Sequence, residues 1–158
     1  MNSELAFSFL LSCTNINIMI QLLSQGTEIG FLINAPSLEG LFRETLEGTL
    51  KVIFQDLPRV EVTISEPFEW NASDPVPLLT LYVDGIVSLI EDQHRLPGRT
   101  RLQLLQGAAG WRVAGEFLCA PWDPAKNPVR QRVKGALPGG VTLEPDAQGW
   151  RSQVLFAV

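Results

Sequence analysis

The chain has 158 residues, 46% hydrophobic and 18% charged, the proportions of a globular domain long enough to bury a core. Its formal charge of −5 and pI near 4.8 argue against a nucleic-acid partner, because neutralising phosphates takes clustered Lys and Arg. The one basic cluster, Lys126, Arg130, Arg132 and Lys134, reads as the solvated face of a short helix.

In chain order, residues 4–23 come first, with apolar side chains at Leu5, Phe9, Leu10, Cys13, Ile16, Ile20 and Leu23. This spacing predicts a helix, although Ile16, Ile18 and Ile20 also alternate as a strand would. A signal peptide is not expected, since the only early charge is Glu4. Interruption by Ser8, Ser12, Thr14, Asn15 and Asn17 leaves no run of about 18 apolar residues able to span a membrane. Gly26 and Gly30 punctuate a linker, and Ser37 is placed to cap a second helix. That helix carries Leu38, Leu41, Phe42, Thr45, Leu46, Leu50 and Ile53 on one stripe.

Beyond Pro58 the period drops to two, so Val60, Val62 and Ile64 predict a half-buried strand, followed by an irregular stretch over 67–70. Ser73, Asp74 and Pro75 open a third helix with Leu78, Leu79, Tyr82, Ile86, Leu89 and Ile90 inward and Asp84, Ser88, Glu91 and Asp92 outward. Two hairpins follow: 100–106 with 111–119 around Gly107 and Gly110, then 141–144 with 151–158 around residues 146–149. Between them Pro121, Pro124 and Pro128 limit regular structure to a short basic helix. The expected fold is α+β: a two-layer α/β sandwich whose mixed or antiparallel sheet carries helices on one face. Residues 1–35 form an N-terminal helix and linker, and 36–158 the α/β domain.

Chemistry-bearing residues are sparse. Cys13 and Cys119 sit in apolar surroundings without a CxxC spacing, and His94 is the single histidine, so no Cys/His zinc set can form. These buried thiols fit a reducing cytoplasm. No G-x-S-x-G elbow accompanies His94, and Asp84, Glu91 and Asp92 read as the polar face of an amphipathic helix. Four tryptophans, Trp70, Trp111, Trp122 and Trp150, either cover the ends of the core or anchor an interface.

Over residues 36–158 the order of elements, with Gly139-Gly140-Val141-Thr142-Leu143-Glu144 and then Gly149, resembles the ATP-binding domain of GHKL-type ATPases, the fold of histidine kinases. The resemblance implies a magnesium-binding Asn and an adenine-reading Asp-x-Gly-x-Gly. In their places stand Ser88, one turn after Asp84, and the glycine-free stretch Trp122-Asp123-Pro124. Asp92 would repel phosphate where the family often has a cation, and no histidine occurs in the first segment to accept a phosphoryl group. The resemblance therefore implies a degenerate domain. No catalytic, cofactor-binding or metal residue is assigned.

The resulting expectation is a non-catalytic signalling or regulatory module in the cytoplasm that binds a protein partner, with a homodimer through the first two helices and neither nucleic acid nor membrane. Two alternatives stand beside it. One is a divergent ATPase or kinase using Asp84 and Asp123; the other is a small acidic α/β chaperone-like binding protein.

Overall fold

The structure, a computed structural model, describes residues 18–158. Nine elements follow one another: β1 Met19–Gln25, β2 Glu28–Ala35, α1 Leu38–Ile53, β3 Ile64–Ala72, α2 Pro75–Glu91, β4 Arg95–Gly107, β5 Gly110–Pro121, β6 Gly135–Asp146 and β7 Gly149–Ala157. The strands form two antiparallel sheets, one ordered β1-β2-β7-β6 and the other β3-β5-β4.

The expected first helix is corrected. Residues 19–25 are a strand paired antiparallel with β2 from Met19 opposite Asn34 to Gln25 opposite Glu28. Residues 4–17 of that prediction lie outside the described residues. The alternation of Ile18 and Ile20 is compatible with that strand, and the pairing with β2 decides for it. The linker reading of 26–35 is corrected too: Gly26, at φ 61°, opens the two-residue turn that closes the hairpin. β2 then runs through the middle of the sheet with Phe31 and Ile33 wholly buried.

α1 matches its expectation. Ser37 caps it by accepting from the Gly40 amide at 3.0 Å, and the apolar stripe is buried. The stripe is wider than one contact surface needs, because Leu38, Leu41, Phe42, Leu46, Leu50, Val52 and Ile53 are all covered. α2 has the same breadth. Its N-cap Asp74 makes no side-chain capping bond, and Pro77 at the third helical position has no amide to offer.

Both helices contact strands of both sheets, and among the described residues no strand of one sheet comes close to a strand of the other. The expected sandwich with helices on one face is therefore corrected: two helices lie between two sheets, and their broad apolar surfaces are what holds those sheets together. The dimer expected through the first two helices loses its second surface, because the apolar stripe of α1 is spent inside the chain.

Two local expectations fail for identifiable reasons. Residues 57–63 form no strand, and β3 instead runs through the stretch expected to be irregular, including Pro67. Proline is tolerated there because β3 is an edge strand, and Pro67 need not donate outward. The short basic helix over 126–134 is absent; residues 122–134 are turns and bends with one isolated bridge from Val129 to Phe54. The two C-terminal hairpins are present as expected, each longer than its alternating core.

Close approach between layers depends on two helical glycines. A Cβ at Gly48 would lie 2.6 Å from the fully buried Phe31 ring, and one at Gly85 2.5 Å from the half-buried Trp70. Helix propensity alone favours alanine by about 1 kcal/mol, whereas overpacking a tight core costs about 1–3 kcal/mol. Gly48→Ala should lower stability by about 1 kcal/mol or more in urea unfolding, and Gly85→Ala should cost less because Trp70 can swing toward solvent. A raised midpoint for Gly48→Ala would show that Phe31 has room to move.

Candidate functional site

The residues weighed as chemical groups each have a structural partner, and two of those contacts, Glu91 with Arg132 and His94 with Trp122, join the C-terminal end of α2 to the 122–134 segment. Asp84 accepts from the Ala136 amide at 2.8 Å, pinning the start of β6. Ser88 donates to the Asp92 carboxylate at 2.9 Å. His94, at φ 54°, stacks on Trp122 with centroids 5.8 Å apart, and its carbonyl accepts from the Trp122 amide. Asp123 accepts from the Ala125 amide at 3.0 Å, a turn-forming use of its side chain. Glu91 pairs with Arg132 at 2.5 Å, and its other carboxylate oxygen is buried without a partner. Among the described residues no three His, Cys, Asp or Glu side chains gather to hold a metal ion.

The tryptophans belong to the core more than to a surface. Trp122 is only 8% exposed, packs edge-on against Phe54 at 6.0 Å, and donates from Nε1 to the Asn127 carbonyl at 3.0 Å. Trp70 stacks on Phe68 at 4.9 Å in an aromatic group with Tyr82 and Phe117 between α2 and the three-stranded sheet. The Tyr82 hydroxyl donates to Thr100 Oγ1 at 2.9 Å. Burial pushes the Tyr82 phenol well above its usual range, a shift the Thr100 bond opposes.

Among the described residues the surface openings include three of mixed lining. One of about 340 Å³ lies beside β1, lined by Leu22, Ser24, Ile29, Val52, Arg130 and Gln131 among others. A second of about 300 Å³, between α1 and β4, is lined by Arg43, Glu44, Glu47 and Arg99 with Leu50 and Leu57. A third, broad and shallow, covers the β4–β5 hairpin tip around Leu105, Trp111 and Arg112. Burial raises the Glu44 carboxyl, the neighbouring Glu47 raises it further, and Arg43 opposes both. Sequence reasoning missed the first opening because its residues come from four separate segments, joined only once the first hairpin is read as strands.

The profile of the Archease protein family (MTH1598/TM1083) matches residues 21–158, nearly the whole described chain. The chain belongs to the archease family. Its fold agrees with Methanobacterium thermoautotrophicum protein 1598 at a TM-score of 0.66 and 15% identity, over 88% of this chain and 98% of that one. A Thermotoga maritima protein described as an archease and possible chaperone agrees at 0.51 and 12% identity, over 89% and 98%. A search of the curated proteins finds no match.

Membership overturns the resemblance to GHKL-type ATPases, and with it the signalling reading and the histidine-kinase-like fold. The structural reason is visible at the quoted motif. Gly139 and Gly140 do not precede a strand but lie inside β6, where the register with β7 shifts between Ala136 and Val141. Among the described residues no helix of this archease is long and apolar enough to cross a membrane.

Two predictions follow from the titratable groups. Because Glu44 is raised in the folded chain, its contribution favours folding below its ordinary value of 4.5 and is lost as pH rises through the higher folded value. Glu44→Gln should therefore raise Tm at pH 7 and give no gain below pH 4.5; equal gains at both would refute the raised carboxyl. Cys119 is wholly buried in β5, and burial pushes its thiol up to about 11, with Arg95 pulling the other way. Peptide mapping after iodoacetamide treatment at neutral pH should find Cys119 unmodified in the native chain and modified only after denaturation.

Proposed function

We propose that this chain is a chaperone-like protein that binds polypeptide segments, the reading that family membership and the description of the Thermotoga relative as a possible chaperone support together. The observation that carries it is the character of the openings: wide, mixed in chemistry and bordered by exposed apolar side chains such as Leu22, Leu57 and Leu105, at 42%, 48% and 47%. Shallow apolar surface with scattered charge suits an unfolded segment better than a small substrate, which calls for a few convergent polar groups. The acidic charge of the whole chain keeps such a protein soluble while it holds apolar segments.

The test is light scattering of thermally unfolded citrate synthase with and without the chain. An equimolar amount should lower aggregation at least twofold, and an unchanged trace, matched by an inert protein of the same size, would overturn the reading.

A further inference from the structure

A sheet edge is an open row of backbone donors and acceptors, and proteins usually blunt it with proline, charge, a bulge or a covering group. Among the described residues three of the four edges are blunted. β3 carries Pro67 with Glu66 and Glu69; β4 has a register shift between Pro97 and Arg99 and gives its Leu104 amide to the Glu39 carboxylate at 3.1 Å. β6 has Pro138, Pro145 and its own register shift. β1, Met-Ile-Gln-Leu-Leu-Ser-Gln, has no charge, no proline and an unbroken register.

The turn fixes which groups face out. In a hairpin closed by the two-residue turn Gly26–Thr27, the pair Gln25 and Glu28 is mutually hydrogen-bonded, and bonded pairs recur at every second residue. Leu23, Gln21 and Met19 are thus spent on β2, while Ser24, Leu22 and Ile20 turn their N–H and C=O groups to the edge that is left free among the described residues. Leu22 and Ile20 lie opposite Phe31 and Ile33, so their side chains share the core-facing side of the sheet, where the 340 Å³ groove opens.

We propose that β1 and this groove bind an extended peptide as an added strand, its core-side residue entering the groove and an acidic residue meeting Arg130. This rests on the protein-binding reading above and names the surface and the class of segment. Charge complementarity selects the segment, because Arg130 is the only charged side chain among those lining the groove. Arg130 donates to the Lys51 carbonyl, which holds the guanidinium at the rim while it stays exposed to solvent. A second copy is disfavoured as the occupant: seven strand residues fall far short of the roughly 20–30 residues a side of a stable interface.

The test titrates the full chain with a short fluorescein-labelled peptide that alternates valine and threonine around one glutamate, followed by anisotropy, and with a counterpart carrying lysine instead. The glutamate peptide should bind at least tenfold more tightly than the lysine one. Ser24→Pro, which removes an outward amide without touching the β2 ladder, should weaken binding at least tenfold; Leu22→Glu, at a side chain already 42% exposed, should do the same if the proline variant fails to fold. Amide exchange at Leu22 and Ser24 should be fast in the free chain and at least tenfold slower in the complex. Protection of those amides in the free chain would overturn the proposal, with sedimentation telling a second copy from the chain's own residues as the cover. Binding that ignores both variants, or no peptide binding by a chain that still suppresses aggregation, would overturn the edge site and leave the broader reading standing. Failure of both assays would remove both.

Discussion

Everything in this fold depends on two helices being apolar over about half their circumference. A surface helix buries one stripe, and burial of one stripe would leave either sheet without a lid. Here α1 and α2 meet strands of both sheets, and the sheets do not meet each other among the described residues. The hydrophobic free energy that joins the four-stranded sheet to the three-stranded one therefore passes through helix side chains, among them Phe42 and Tyr82 with centroids 5.9 Å apart, with the strand residues Phe31 and Phe156 of one sheet and Phe68 and Phe117 of the other. Gly48 and Gly85 set how closely these layers approach.

So broad an apolar surface makes any polar group within it expensive, since an unpaired buried donor or acceptor costs about 1–3 kcal/mol. The helix threonines avoid that cost locally: Thr45 donates to the Leu41 carbonyl at 2.8 Å and Thr49 to the Thr45 carbonyl at 2.9 Å. Tyr82 and Thr100 satisfy each other across the α2–β4 contact. At the end of α1 the freed carbonyls find partners in the irregular segment: the Arg130 and Gln131 amides donate to Ile53 at 2.8 and 3.1 Å. That is why the basic cluster is not a helix. Its backbone caps α1, and Arg132 is held by Glu91.

Much of this was legible in the residues, and the failures have physical causes. α1, α2 and both C-terminal hairpins announced themselves through periodicity, caps and glycine turns, which are local signals. β1 and β2 did not, because a run such as Leu22-Leu23 fits either period, and only pairing between Phe31 and Val154 on β7, far away in sequence, decides for a strand. Pro67 argued against a strand until the sheet order made it an edge. The misread first hairpin also hid the groove beside it, and removed the element that would have counted against a histidine-kinase-like order. As for chemistry, Asp84, Ser88, Asp92, His94 and Asp123 stood out in the sequence only as departures from a nucleotide site, and the structure assigns each an intramolecular partner.

The uneven treatment of the edges ties the architecture to function. Placing helices between two sheets gives four strand edges among the described residues rather than the two of a single sheet, so the fold has twice the usual number of edges to guard against unwanted pairing. Three edges carry features that cost ladder bonds or regularity: prolines within β3 and β6 and broken registers in β4 and β6. Those costs are accepted where pairing would be harmful. β1 accepts none of them, although Met19 and Leu22 are 54% and 42% exposed and a single lysine or proline would close the edge with little loss of core burial. A strand left open in a chain that closes every other one among the described residues is most simply explained by pairing that is wanted there, and the neighbouring groove with its lone guanidinium supplies the selectivity that backbone pairing alone lacks.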